Sequence, residues 1–346
     1  MPFYVSPEDL RRFVEGVFVA AGAREEDAAL IADHLVEANL RGVDSHGVVR
    51  VYYYTEGIER GFVKPRAEIK VVRETDTSAV IDGGGMLGIP VAMRTLEMAL
   101  YKAERFGIAA AAARNLGHVG MLAYYTKRGA ERGYVTFAAA NSPARIAPWG
   151  GCEKIFGTNP FSISFPARGA PVVVDMATSI LAGMKVMMAA ERGEVFPEPI
   201  GVSPSCRQTA DPREALEGAL LPFGRHKGYA IALAVELLSH ALAGGPSSTE
   251  VTAHPSTQGG FFILALSPAA LRDLDDYLDD VERLKEKIRA SKPAEGFERV
   301  MLPGEPEEET YTKRLKEGIP LDDETWKKLE HVSKKYGVKL PPARRL

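Results

Sequence analysis

The sequence predicts an α/β fold with a helical lobe assembled from both ends of the chain, and three observations carry that prediction. Short apolar runs of strand length alternate with amphipathic stretches of helix length across residues 69–165. The segment before Gly61 has helical spacing and helix punctuation throughout. The segment after Leu266 is charge-rich and mostly helical. Residues 1–75 and 267–346 are therefore expected to form the mainly helical lobe, and 76–266 the α/β domain.

Ser6 can cap the first helix, Pro7 suits its first position, and Asp9 completes a capping-box-like start. Leu10, Phe13, Val14, Val17, Phe18 and Ala21 keep helical spacing until Gly22 stops the run. A second helix is expected over Glu25–Leu40, with Ile31 and Leu35 inward and a stop at Arg41-Gly42. Asp44-Ser45-His46-Gly47 then opens a third helix towards Gly61, whose start offers free backbone N–H groups to an anion. Strands are expected at 79–82, 108–113, 135–140, 161–165 and 172–174, with helices at 90–106, 119–132 and about 179–192. Residues 196–211, rich in Pro, Ser and Gly, read as a loop. A strongly apolar helix begins near Lys227, 244–260 reads as a polar linker, and 261–266 returns as a strand. Pro303-Gly304-Glu305-Pro306 marks a loop between the C-terminal helices.

With 346 residues, 45% hydrophobic and 26% charged, the chain has ample length for a large core. A net charge of −3 does not suit a nucleic-acid partner, which shows as a strongly basic face. No apolar run reaches the roughly 18 residues of a membrane span, and residues 1–12 lack the apolar stretch of a signal peptide. Two cysteines, Cys152 and Cys206, cannot build a disulfide framework and suit a reducing compartment. The expectation is a soluble, cytoplasmic globular protein.

Residues that can carry chemistry gather in a few stretches. Arg50 follows His46 by four residues, and on one helix these side chains would share a face. An imidazole beside a fork-shaped cation suits a carboxylate-bearing alcohol or ketone. Gly117-His118-Val119-Gly120 sets a second imidazole between glycines, at the expected start of a helix. The glycines clear room for a ligand, although a buried structural histidine reads the same way. Asp44-Ser45-His46 does not make a hydrolytic triad, because adjacent side chains diverge and no G-x-S-x-G occurs. Neither H-E-x-x-H nor C-x-x-C is present, His34 reads as a solvated or packed helix position, and His240, His254 and His331 have no partner at ligand spacing, so no metal site is expected.

Gly83-Gly84-Gly85-Met86-Leu87-Gly88 matches the dinucleotide spacing G-x-G-x-x-G between a strand and a helix. The next strand ends in Arg114 and Asn115 where an acidic residue should hold the ribose, so a glycine-rich turn is the better reading. Asp175-Met176-Ala177-Thr178-Ser179 leaves a strand and is expected to enter a helix, offering a carboxylate and N–H donors to a ribose and a phosphate, or simply capping the helix. Arg225-His226-Lys227 sets potential cations at a helix start, against the dipole; a bound anion or an exposed charged turn would explain them.

Together these stretches resemble the type-2 malate/L-lactate dehydrogenase family, over residues 10–338. The motifs stand in the family's order: DSHGVVR at 44–50, NLGHVG at 115–120, NSPARIAPWGG at 141–151, GTNPFS at 157–162, DMATS at 175–179, HKGY at 226–229 and LPGEP at 302–306. The resemblance implies a non-Rossmann fold with a mixed, largely antiparallel sheet flanked by helices, in a homodimer. It implies hydride transfer between NAD(P)H and a 2-oxo or 2-hydroxy acid such as malate, lactate or sulfolactate, with residues 76–266 as the cofactor-binding domain. Reduction of a cyclic imine carboxylate, or dinucleotide binding without catalysis, are the alternatives. By position His46 and His118 match the family's catalytic histidines, and Ser45, Arg50 and Tyr54 its substrate-binding positions. Ser142, Val174, Asp175, Met176, Ala177, Thr178, His226, Lys227, Pro303, Gly304 and Glu305 match dinucleotide contacts. Arg50 is expected to clamp the carboxylate and His46 to move the proton, with His118 orienting. Asp175 would repel a 2′-phosphate and favours NAD, while Arg225 leans towards NADP. The chain departs from the family at IGVSPSCRQTAD (200–211), at Arg225 in place of a glycine, and at Tyr52-Tyr53, which bears on substrate identity.

Overall fold

A mixed sheet of seven strands organises the computed structural model, which describes residues 2–345 with the Met184 side chain excepted. In spatial order the strands are Lys70–Glu74, Ser78–Met86, Ile108–Leu116, Phe261–Leu266, Val135–Ala140, Phe161–Phe165 and Val172–Met176. Ser78–Met86 and Ile108–Leu116 run parallel and are joined through the helix Gly88–Phe106; the other pairs of this sheet are antiparallel. The non-Rossmann, largely antiparallel sheet flanked by helices is therefore the fold this chain adopts.

The central strand shows how sequence makes the sheet. Phe261, Ile263 and Ala265 alternate onto the face where Ala113, Ala111 and Ala109 lie on one side and Ala140 and Ala138 on the other. Large side chains between small ones fill a tight layer under the helix Gly88–Phe106. Burying a Phe or Ile this fully stabilises by about 1.5–3 kcal/mol each.

At the start of the helix Pro7–Ala20, the Ser6 hydroxyl accepts the Asp9 N–H at 3.1 Å. Leu10, Phe13 and Val17 of that helix share an apolar core with Ile31 and Leu35 of Glu25–Leu40, Val51 of Val49–Glu59, and Leu329 and Val332 of Asp323–Tyr336. A small sheet that periodicity does not reveal, because its strands have three residues each, sets Phe3–Val5 between Ile319–Leu321 and Ala343–Arg345.

Several element expectations are corrected. The third helix does not open at Asp44: Asp44–His46 is one 3-10 turn, Gly47 is extended at φ −85°, ψ −153°, and the α-helix covers Val49–Glu59. Its start is no open anion site, since the Val48 N–H donates to Asn39 Oδ1 at 2.7 Å. His118 is not at a helix start. The helix begins at Ala123, because Gly120 takes φ +73° and the His118 N–H is committed to Ser256 O at 2.8 Å. Residues 175–179 do not enter a helix either; the Thr178 and Ile180 N–H groups bond across to Thr158 O and Leu221 O, and the helix waits until Gly183. The 196–211 loop carries short strands: Gly201–Val202 pairs with Gln208–Thr209 on one side and with Ala219–Leu220 on the other. The apolar helix near Lys227 is His226–Glu236, and it widens into a π-helical end at Leu237–Leu242.

The reading of the cysteines is also corrected. Cys152 and Cys206 form a disulfide with a Cα–Cα distance of 5.3 Å. They lie 54 positions apart, but the turn after Trp149 folds against the small sheet that carries Cys206, so the cysteine count does not argue for a reducing compartment. No helix among the described residues is long and apolar enough to cross a membrane.

Candidate active site

The site is assembled from a turn, a helix and a loop. Asn39 of the helix Glu25–Leu40 holds the turn in place: besides capping Val48, its amide donates to Asp44 Oδ1 at 2.6 Å. Gly47 packs so closely on the Asn39 amide that a Cβ there would collide with it. This fixes Ser45 and His46, whose side chains meet at 3.0 Å between Ser45 Oγ and His46 Nδ1. One turn into Val49–Glu59, the buried Arg50 donates from Nε to Ser45 O at 2.7 Å and from Nη1 to Pro255 O at 3.1 Å. Its Nη2 has no acceptor, and no carboxylate pairs with it among the described residues.

His118 comes from the other side, out of the strand Ile108–Leu116. Its ring centroid lies 5.5 Å from that of His46. Its Nδ1 takes the Gly120 N–H at 3.1 Å and lies 2.7 Å from the Tyr54 hydroxyl. An amide N–H can only donate, so Nδ1 carries no proton and the proton of the neutral ring sits on Nε2.

Burial lowers both histidine pKa values, and the Arg50 charge lowers them further. His46 is held down to about 3 and His118 well below the ordinary value. Both rings are neutral at pH 7. Burial also raises the Tyr54 phenol, which stays protonated. His46, His118, Ser45, Arg50 and Tyr54 are thus brought together, although His46 and Arg50 meet across a 3-10 turn and not on one helix face.

Met121 and Ala123, a few positions on from His118, help to line a cavity of about 1270 Å³. Val174, Asp175 and Met176 form one wall and Pro303, Gly304 and Glu305 another. Gly304, at φ +90°, lies against Val173, where a Cβ would press at 3.1 Å. The Asp175 carboxyl faces this space with a single donor among the described residues, the Ala123 N–H at 3.2 Å. The residue is open to the cavity, and desolvation by the wall around its carboxyl pushes its pKa up to about 7. A carboxylate short of donors at a cavity wall fits the hydroxyls of a nucleotide ribose.

Ser142 sits in a neighbouring cluster: its Oγ accepts the Thr158 N–H at 3.2 Å, and Thr178 bonds to Thr158 O through both N–H (2.8 Å) and hydroxyl (2.9 Å). Ala177 adjoins Thr178 in the segment leaving the strand. His226 and Lys227 are exposed at the start of their helix and do not line the cavity; the chain just before them is tied in by the Phe223 N–H to Thr178 O at 3.0 Å. Gly83 to Gly88 stand apart from this cavity and serve packing, since a Cβ on Gly88 would run into the Gly117 backbone.

Sequence reasoning missed three contributors. Asn39 looks like any polar helix residue until the turn is in place. Glu236, within an apolar helix, accepts from the Asn141 amide (3.2 Å), the Asn159 amide (2.7 Å) and the Ser248 N–H (2.7 Å) and hydroxyl (2.6 Å), and so anchors the loop bearing Ser142. Arg145, inside the NSPARIAPWGG motif, has a guanidinium with no partner among the described residues. An arginine in an otherwise apolar stretch was the only signal for it.

A family model described as malate/L-lactate dehydrogenase matches residues 5–330. The L-sulfolactate dehydrogenase of Methanocaldococcus jannaschii is 36% identical over 97% of this chain and 98% of its own length. The malate dehydrogenase of Pyrococcus horikoshii is 36% identical over 96% of this chain and 95% of its own. Among solved structures, malate dehydrogenase from Entamoeba histolytica superposes with a TM-score of 0.94 at 29% identity, covering 99% of this chain and 100% of that one.

Proposed function

Because the chain belongs to the malate/L-lactate dehydrogenase family, and so is a 2-hydroxy-acid oxidoreductase, we propose that His46, His118 and Arg50 carry its acid–base and substrate-binding chemistry. A nicotinamide dinucleotide, when bound, supplies or accepts the hydride at the substrate's C2. Arg50 binds the C1 carboxylate through its unpaired Nη2, its other donors being held by Ser45 O and Pro255 O. His118 presents Nε2–H to the C2 oxygen and orients it. His46 moves the proton.

The observation that carries this division is the Gly120 N–H aimed at His118 Nδ1. A doubly protonated His118 would set a second N–H against that amide, so this ring is confined to one tautomer. Among the described residues the His46 ring hydrogen-bonds only to the Ser45 hydroxyl, which can donate or accept, so its ring is free to take up and release a proton. A bound carboxylate offsets the Arg50 charge and raises the His46 pKa towards the working range.

Asp175 takes the adenosine ribose hydroxyls, and its charge disfavours a 2′-phosphate, which supports NAD over NADP. Ser142, Ala177, Thr178, His226 and Lys227 complete the dinucleotide contacts, with Pro303, Gly304 and Glu305 on the facing wall. The reading includes a homodimer, which rests on the family resemblance, and a cytoplasmic setting. Malate, lactate or sulfolactate are the substrates it names.

The test follows reduced dinucleotide consumption with oxaloacetate, pyruvate, sulfopyruvate and a cyclic imine carboxylate, with NADH and then NADPH. His46→Ala should lower turnover roughly 10²–10⁴-fold while leaving dinucleotide affinity in place. Near-normal turnover in that variant removes His46 from the role. Turnover of the imine alone moves the substrate to a C=N compound.

A further inference from the structure

Three consecutive residues, His254-Pro255-Ser256, bind the two sides of the site together, and no step of the mechanism uses their side chains. The Pro255 carbonyl accepts from Arg50 Nη1 at 3.1 Å, and the Ser256 carbonyl accepts the His118 N–H at 2.8 Å. Arg50 comes from the helix Val49–Glu59, whereas His118 leaves the strand Ile108–Leu116. One short segment therefore reaches both the carboxylate clamp and the ring that orients the C2 oxygen.

His254 fixes that segment. Its ring is buried and tilts against Phe62, with the ring centroids 4.9 Å apart. Nδ1 accepts the Ser256 N–H at 3.2 Å and lies 2.8 Å from the Ser256 hydroxyl. An amide N–H can only donate, so the proton of the neutral ring sits on Nε2, which faces Glu56 Oε2 at 3.4 Å. Glu56 belongs to the same helix as Arg50 and Tyr54. That helix thus holds the segment twice, through Glu56 to His254 and through Arg50 to Pro255. The Thr257 hydroxyl closes the turn by donating to Thr252 O at 2.6 Å and His254 O at 2.7 Å. The Ser256 side chain seats against Gly57, where a Cβ would collide with it.

A long contact to a carboxylate that is 32% exposed adds little to stability. Its effect on geometry is larger, because a displacement of about 1 Å in a reacting group costs on the order of 10²-fold in rate. Losing this contact should therefore impair the reaction far more than the fold.

We propose that His254, held by Glu56, is a positioning residue for both halves of the site. It fixes the Pro255 and Ser256 carbonyls, and through them sets the Arg50 guanidinium and the His118 ring at the separation that one 2-oxo acid requires. This rests on the reading that Arg50 and His118 act on the substrate. His254 does not line the 1270 Å³ cavity, so dinucleotide binding is outside its reach.

The experiment compares the full-length wild type with His254→Phe, which keeps a ring against Phe62 and loses both hydrogen bonds. Glu56→Ala removes the acceptor for Nε2–H, and Glu56→Gln keeps one. Initial rates with pyruvate and oxaloacetate give kcat and KM, fluorescence titration gives the NADH Kd, and a thermal melt checks the fold. His254→Phe should lower kcat/KM roughly 10- to 100-fold, through a raised KM from Arg50 and a lowered kcat from His118. Glu56→Ala should change both parameters in the same sense, and Glu56→Gln should recover most of the loss. The double variant His254→Phe/Glu56→Ala should be no worse than His254→Phe, since one contact cannot be lost twice. The NADH Kd should hold. A merely structural role would lower kcat through the folded fraction and leave KM alone. A folded His254→Phe enzyme with wild-type kcat and KM, a fall in kcat at constant KM, or a weakened NADH Kd overturns the proposal. If His254→Phe does not fold, Glu56→Ala decides by the same readings.

Failure of the parent reading shows in the wild type, as no turnover of any 2-oxo acid with NADH or NADPH. Calorimetry with oxamate, a pyruvate isostere with the same carboxylate, then still decides His254. Binding to the NADH-loaded protein roughly 10-fold weaker in His254→Phe upholds its role. Equal binding in both proteins, or none in the wild type, refutes it.

Discussion

Replacing Arg50 by lysine keeps one positive charge and removes the fork. In the folded protein Arg50 already spends Nε on Ser45 O at 2.7 Å and Nη1 on Pro255 O at 3.1 Å, which leaves Nη2 for a carboxylate. An ammonium has its three donors on one atom and cannot span these carbonyls and a substrate together. One charge-assisted contact is therefore lost, worth about 1.5–3 kcal/mol. At about 1.4 kcal/mol per tenfold, KM for the 2-oxo acid should rise roughly 10- to 150-fold. Turnover at saturation should fall much less, because His46, His118 and the dinucleotide contacts remain. Losing the bonds to Ser45 O and Pro255 O also costs stability, about 1–3 kcal/mol for each carbonyl left unsatisfied. Initial-rate kinetics over a wide substrate range, beside a thermal melt confirming that the variant is folded, make the assay. A folded Arg50→Lys enzyme whose KM stays within about twofold of wild type refutes the clamp, since a contact worth that little is not charge-assisted.

Acid should destabilise the protein from below the ordinary histidine range. His34 is held to about 4 and His46 to about 3, with His118 also depressed, so between those values and 6.5 the unfolded chain binds protons that the folded one does not. Stability therefore falls as pH drops through that window. Asp175, raised to about 7, acts in the opposite sense, since its protonated form is favoured in the fold. The net loss should be on the order of 1–3 kcal/mol per pH unit, read from urea midpoints at pH 7, 6 and 5; a midpoint that rises on acidification contradicts it. Gly120→Ala should cost at least about 2 kcal/mol, because its Cβ would run into the His34 ring at a φ of +73°, and the displaced amide should also lower turnover. A variant with wild-type melting and turnover would show that the loop is not so constrained. Cys152→Ser should lower stability by about 2–4 kcal/mol, the usual range for a disulfide, with loop closure over a separation of 54 setting the upper end at about 4 kcal/mol; an unchanged denaturant midpoint under oxidising conditions would mean that the bond adds nothing.

What the sequence determined alone is what depends on near neighbours. The helices Pro7–Ala20 and Glu25–Leu40 and the strands Val135–Ala140, Phe161–Phe165 and Phe261–Leu266 stand where periodicity and punctuation put them, because capping and alternation are local. The pairing of His46 with Arg50 was legible for a reason that did not hold: Gly47 leaves the helix, and Asn39, from another helix, does the work attributed to helical spacing. His118 was visible as a residue but not as a tautomer, since that depends on the direction of the Gly120 N–H and on Tyr54, 64 positions away. The disulfide and the unpaired Arg145 belong to the same class. Whether a thiol finds a partner or a guanidinium lacks one is a fact about distant segments brought within a few ångströms, and only the tertiary structure decides it.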